Sequence, residues 1–183
     1  VARAPAQAYN PLFIYSDVGL GKTHLVNAIA NHILRENPRV RIIYTNSEDF
    51  TAEVVEAIQT NTINQFRARY KSVDLLIVDD VQFLAGKERA QEEFFHIFNA
   101  LFQAKKQIVI TSDRPPKDIA RLENRLLSRF GAGVIVDIAP PDLETRIAIL
   151  NREIQRMGIE IPPEVVQLVA EHIDTNVREL KGA

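Results

Sequence analysis

Apolar residues along this chain follow two alternating rhythms. Short runs from Pro11 to Tyr15, Val40 to Tyr44, Leu75 to Val78, Gln107 to Asp113 and Val134 to Ile138 read as strands, and Leu75-Leu76-Ile77-Val78 is apolar on both faces, as a strand covered on two sides must be. Between them the spacing turns helical. His24, Leu25, Ile29 and Ile33 share one face, as do Phe50, Val54 and Ile58, then Ile63, Phe66 and Tyr70, and then the stripe Phe94, Phe95, Phe98, Leu101 and Phe102. A short helix is predicted from Glu123 to Phe130. Ser47, followed by Glu48 and Asp49, has the composition of an N-cap with acids in the first turn. Five strand signals alternating with helices predict a five-stranded parallel α/β sheet flanked by helices.

After Pro140-Pro141 the strand rhythm stops. Leu143, Ile147 and Leu150, then Val165, Leu168 and Val169 beyond Pro162-Pro163, and a third start at Thr175, predict a small all-helical subdomain. The division expected is an α/β unit over 1–139 and a helical lid over 140–183, the lid incomplete at Ala183. The alanine-rich stretch Val1 to Asn10 is expected to be the end of a helix.

Composition bounds the answer without choosing it. The 183 residues are 46% hydrophobic and 25% charged, enough for one sizeable core, and the formal net charge of −2 supplies no global basic field, so any nucleic-acid contact must be a local patch. The absence of cysteine excludes disulfides and thiolate chemistry. No apolar run approaches the roughly 20 residues of a membrane-spanning helix, and a cytoplasmic location is expected.

Candidate chemistry gathers where the first strand ends. Ser16-Asp17-Val18-Gly19-Leu20-Gly21-Lys22-Thr23 joins that strand to a helix, the context of a phosphate-binding loop. Glycines let backbone N–H groups close on phosphate oxygens, and the helix N-terminus adds partial positive charge. Lys22 would meet the β- and γ-phosphates and Thr23 would hold Mg²⁺. The pattern ordinarily opens with glycine. Here Ser16 stands in that place with Asp17 beside it, so strain at Ser16, if its φ is positive, and weakened nucleotide affinity are expected. Asp79-Asp80 ends the third strand, where open α/β sheets bind ligands, and reads as a magnesium-holding acid with its neighbour. The fourth strand ends in Thr111-Ser112-Asp113 at the same edge.

With an arginine-bearing helix (Arg125, Arg129) and the terminal Asn176-Val177-Arg178-Glu179-Leu180, this set resembles the AAA+ ATPases. More narrowly, Asn10 to Tyr15, Gly19 to Leu25, Ser72 to Leu76, Asp79-Asp80-Val81-Gln82-Phe83, Lys87-Glu88-Arg89 and Ser128-Arg129-Phe130 resemble the DnaA family of bacterial chromosomal replication initiators. The resemblance implies an ATPase with ATP or ADP and Mg²⁺ as ligands, assembling as an ATP-dependent homo-oligomer on the origin and opening the duplex. It implies nucleotide contacts at Val18, Gly19, Leu20, Gly21, Lys22, Thr23, His24, Asp79 and Arg178, with Mg²⁺ at Thr23 and Asp79. Asp80 would orient the attacking water in the place where most AAA+ proteins have glutamate, making hydrolysis slow. Asp113 and Arg178 would sense the γ-phosphate, and Arg129 would be an arginine finger for a neighbour's ATP, with Arg125 either assisting it or pairing with an acid.

Glu48 to Tyr70 resembles the family's inserted helical pair, which steers assembly into an open spiral. Val55, Lys87 and Arg89 match residues that hold single-stranded DNA, while Ala90 lacks a hydroxyl found in some relatives. Duplex reading and contact with the replicative helicase or its loader are implied for segments outside this chain, and the location implied is the bacterial nucleoid. Two other readings compete: a regulatory or scaffold paralogue with a weakened nucleotide site, supported by Ser16-Asp17, and a helicase loader, disfavoured by the inserted helices.

Overall fold

The computed structural model describes residues 1–3, 5–174 and 176–182. In chain order the elements are β1 (Leu12–Tyr15), α1 (Lys22–Glu36), β2 (Ile42–Asn46), α2 (Ser47–Gln59), α3 (Ile63–Lys71), β3 (Leu75–Asp79), α4 (Glu88–Gln103), β4 (Gln107–Ser112), α5 (Asn124–Phe130), β5 (Val134–Asp137), α6 (Leu143–Met157), α7 (Pro163–His172) and α8 (Val177–Gly182). Short 3-10 turns occupy Val81–Leu84 and Pro116–Asp118. The chain forms two compact units, one of Val1–Tyr15 with Thr23–Asp137 and one of Ser16–Lys22 with Ile138–Ala183. Among the described residues no helix is long and apolar enough to cross a membrane.

The sheet of the first unit is wholly parallel, in the order β2-β3-β4-β1-β5. β3 and β4 are buried along their whole length, which is why their sequences run apolar without alternation. Because β4 lies between β1 and β3, the ends Tyr15, Ser112 and Asp79 reach one edge of the sheet together. Gly133, leading into β5, allows the closest approach: a Cβ there would lie 2.0 Å from the Pro11 carbonyl oxygen.

An aromatic chain fills one side of the sheet. Phe50 of α2 meets Tyr70 of α3 at 5.3 Å and Phe94 of α4 at 5.7 Å, Phe94 meets Phe130 of α5 at 6.1 Å, and Phe130 meets Phe13 of β1 at 5.4 Å between ring centroids. All five rings are fully buried. Such tilted and edge-on pairs each add about 0.5–1.5 kcal/mol beyond the area they bury, and α2 and α3 belong to the same core as β1. A bidentate pair from Arg67 to Glu93, both bonds 2.6 Å, ties α3 to α4 beside it.

Three local expectations are corrected. β2 begins at Ile42 instead of Val40: the Val40 N–H closes a turn on the Asn37 carbonyl, and the Arg41 N–H is taken by the Asp74 carboxylate. Asn46, not Ser47, caps α2, its Oδ1 accepting the Asp49 N–H at 2.7 Å, which leaves the Ser47 hydroxyl for another task. The described residues before Pro11 form turns, not the end of a helix; Ala6 and Tyr9 adopt left-handed φ, and the Ala6 N–H is held by Gln107 Oε1 at 2.7 Å.

In the second unit, Leu150, Val166, Ala170 and Leu180 make the core of α6, α7 and α8. Asp142 caps α6 on the Thr145 N–H, and Gly158 ends it at φ +68°. Glu153 of α6 binds Lys181 of α8 at 2.6 Å. The helix start expected at Thr175 lies outside the described residues; α8 runs from Val177, with Asn176 Oδ1 accepting the Glu179 N–H.

Candidate nucleotide site and basic surfaces

The loop after β1 carries two left-handed glycines, Gly19 at φ +84° and Gly21 at +96°. At Gly21 only the backbone conformation demands glycine, since a Cβ would meet nothing within 4 Å. At Gly19 space demands it too: a Cβ would come within 2.8 Å of Asn176 Oδ1, at the entrance to α8. Lys22 is 7% exposed, and its Nζ donates to the Ser16 carbonyl at 2.7 Å, the Asp17 carbonyl at 3.1 Å and Ser16 Oγ at 3.3 Å. All three of these acceptors are neutral. A nearly buried ammonium held by neutral oxygens is costly, and the chemistry suits exchange of those oxygens for an anion. The strain expected at Ser16 does not arise, because neither Ser16 nor Asp17 is among the residues with positive φ. The Ser16 hydroxyl turns onto the Asp17 carbonyl, and Asp17 itself is exposed. Val18 and His24 are exposed, whereas the Leu20 side chain is buried and leaves only its backbone to a ligand.

A cluster of hydroxyls surrounds Asp79, which is 3% exposed. Its Oδ2 accepts from Thr23 Oγ1 at 2.8 Å and from Tyr44 Oη at 2.7 Å, and its Oδ1 accepts from Thr111 Oγ1. Burial, then the hydrogen bond to Asp79 and the charges of Asp79 and Asp80, push the Tyr44 phenol well above its ordinary range, so it stays a donor. Thr111 Oγ1 also accepts the Asp80 N–H at 2.9 Å. Asp80 sits at φ 55°, ψ 52°, a left-handed conformation that aspartate tolerates better than most residues. Its carbonyl accepts from the Ser47 hydroxyl and from the Phe83 N–H, and its Oδ1 accepts from Gln82 Nε2 at 3.2 Å. The other end of the Gln82 amide takes the Asp113 N–H at 3.3 Å, while the Asp113 carboxylate grips the Arg114 guanidinium through two bonds of 2.8 and 2.7 Å. A hydroxyl and a carboxylate are the hard oxygen donors Mg²⁺ takes alongside phosphate oxygens, so Thr23 and Asp79 fit that ion.

Sequence reasoning missed Tyr44, Ser47 and Gln82. Tyr44 looked like the last residue of a buried strand and Ser47 like a cap. Only the Gln82 position carried a signal, standing two residues after the acid pair.

The arginines divide. Arg125 pairs with Glu123 and lies 4.5 Å from the Phe95 ring centroid, the structural alternative left open above. Arg129, one turn further along α5, is half-buried with its guanidinium 6.0 Å from the Phe102 ring. Arg178 is exposed on α8. Val55 is 47% exposed on α2, Lys87 stands at the N-cap of α4, and the exposed Arg89 reaches Glu92 at 3.2 Å.

Comparison with known proteins gives a consistent answer. The family model described as the bacterial DnaA ATPase domain matches residues 1–137. Domain III of the Thermotoga maritima replication initiation protein DnaA is 46% identical with a TM-score of 0.95, over 100% of this chain and 76% of that one. DnaA from Aquifex aeolicus bound to AMPPCP is 45% identical with a TM-score of 0.89, over 99% of this chain and 56% of that one. A replication initiator DnaA bound to AMPPCP and single-stranded DNA is likewise 45% identical, with a TM-score of 0.90, over 99% and 56%. This chain therefore spans little more than half the length of the latter two.

Proposed function

The chain belongs to the bacterial DnaA family, and on that premise we propose that it is the ATP-binding, ATP-hydrolysing AAA+ module of a replication initiator. The observation that carries this reading is the bond from Thr23 to the buried Asp79, directly after a lysine whose ammonium, among the described residues, donates to neutral oxygens. In the proposed mechanism Lys22 exchanges its loop carbonyls for the β- and γ-phosphate oxygens, and the loop N–H groups from Val18 to His24 close on the same phosphates. Thr23 and Asp79 would hold Mg²⁺, which would neutralise charge developing on the phosphates. Asp80, fixed through its backbone and by Gln82, orients the water that attacks the γ-phosphorus. Asp113 and Arg178 respond to the γ-phosphate, and residues 140–183 serve as the lid to the α/β subdomain of 1–139.

Arg129 is assigned to a neighbouring subunit's ATP, so that assembly requires the triphosphate. Val55, Lys87 and Arg89 are assigned to single-stranded origin DNA, as a surface that tracks the backbone. The setting is the bacterial cytoplasm, at the nucleoid. DnaA bound to AMPPCP and single-stranded DNA is the relative that supports the pairing of these two ligands.

Equilibrium binding of labelled ATP and ADP tests the reading. Both should bind, and Ser16→Gly/Asp17→Gly should differ from the wild type by no more than about tenfold, because Ser16 already fits without left-handed strain. No binding by the wild type, with binding only in the double-glycine variant, would favour the scaffold paralogue.

A further inference from the structure

Asp79 is held by three hydroxyls from three elements, and they are not equivalent. Thr111 donates to Oδ1, whereas Thr23 and Tyr44 both donate to Oδ2, at 2.8 and 2.7 Å. Tyr44 reaches that oxygen along the sheet. It pairs with Ile77 across the β2–β3 ladder, so Asp79, two residues on, is its diagonal neighbour on the same face, within reach of an aromatic side chain. Tyr44 is nonetheless 43% exposed on the edge strand, and its ring belongs to no part of the buried core.

We propose that Tyr44 is a positioning residue for the magnesium site, its phenol fixing the rotation of the Asp79 carboxylate. This rests on the nucleotide reading above. There, the Thr23 oxygen turns a lone pair to the ion while its hydrogen stays on Oδ2, so of the two donors to Oδ2 Tyr44 is the one that is not itself a ligand of the ion. A carboxylate pinned by Thr111 on one oxygen and by Tyr44 on the other presents its remaining lone pairs in one direction. With Tyr44 gone, Oδ2 keeps only Thr23, a donor whose own position depends on the ion, and the carboxylate is held less firmly about the Thr111 bond. Groups that orient a metal-binding residue commonly contribute 10–100-fold to metal affinity, and β2 acquires a role that its apolar sequence conceals.

The test is Tyr44→Phe, which removes one partly exposed hydroxyl and keeps the ring. Binding of a fluorescent ATP analogue is titrated with Mg²⁺ and, separately, in EDTA. The Mg²⁺ midpoint should rise about tenfold, while affinity in EDTA stays within about twofold. An unchanged midpoint overturns the inference and makes Tyr44 an ordinary surface hydroxyl. An equal loss in EDTA overturns it as well, since Tyr44 would then act on the nucleotide or the fold. Failure of the wild type to bind in either condition would instead remove the nucleotide reading, so the two failures are distinguishable.

Discussion

Replacing Lys22 with methionine should separate stability from ligand binding. The lysine ammonium is nearly buried and donates to three neutral oxygens at 2.7, 3.1 and 3.3 Å. Hydrogen bonds from a charged group contribute about 1.5–3 kcal/mol each, but removing an ammonium from water costs several kcal/mol without an anion to offset it. The two contributions nearly cancel. Methionine keeps most of the volume, so the ligand-free variant should melt within about 4 °C of the wild type, the equivalent of ~1 kcal/mol for a chain of this size. Binding should fare otherwise. Losing two charge-assisted bonds to phosphate removes ~3–6 kcal/mol, or ~10²–10⁴-fold in affinity. At ATP a hundredfold above the wild-type Kd, linkage stabilises the wild type by about 2.7 kcal/mol, roughly 5–11 °C in Tm, and Lys22→Met should shift by less than about 2 °C. Thermal melts with and without Mg·ATP make the comparison. A variant that keeps the full ATP shift refutes the loop assignment, and one that melts far below the wild type without ligand shows Lys22 to be structural.

Asp80→Asn should bind ATP within about threefold of the wild type yet turn over ~10²–10⁴-fold more slowly, the usual contribution of a group that handles the water; steady-state turnover beside equilibrium binding checks both. Lys87→Ala/Arg89→Ala should weaken single-stranded DNA binding for all sequences alike and flatten the log–log salt dependence by about 0.7 for each phosphate no longer neutralised, measured by anisotropy. An unchanged slope would make both charges solvated bystanders. Burial first, then the Glu53 charge and hydrogen bond, push the Tyr70 phenol up to about 12 from an ordinary 10.0. A folded value above the unfolded one stabilises fully below pH 10 and is lost as pH rises through about 12, so urea unfolding should show a loss of ~2–3 kcal/mol across that window that Tyr70→Phe lacks.

Much of the fold was legible because burial leaves a mark in sequence. Leu75-Leu76-Ile77-Val78 is apolar without alternation because β3 is covered on both faces, and the Phe94-Phe98-Leu101 stripe is the buried face of α4. Strand order was not legible: nothing local in Gln107–Ser112 says that this strand lies between β1 and β3, yet that placement brings Thr111 onto Asp79. The site was legible where chemistry imposes spacing, as at Gly19, Gly21, Lys22 and Thr23. It was hidden where an ordinary residue acquires its role from a partner far along the chain, as Tyr44 does 35 residues before Asp79. Ser16 misled because its consequence depended on φ, which a residue type biases without fixing.

The account stands most directly on whether Arg129 completes a neighbour's site. Guanidinium suits that task because it stays charged and meets two phosphate oxygens at once, and here it rests on α5 near the Phe102 ring, half-buried and within reach of solvent. Sedimentation velocity of wild type and Arg129→Ala, each with ATP and with ADP, beside ATP affinity measured on dilute monomer, is the decisive measurement. The account predicts an ATP-specific oligomer for the wild type, none for Arg129→Ala, and equal monomer affinities. An ATP-specific oligomer that survives Arg129→Ala, with monomer affinity lost instead, would place the arginine in its own subunit's site and contradict the account.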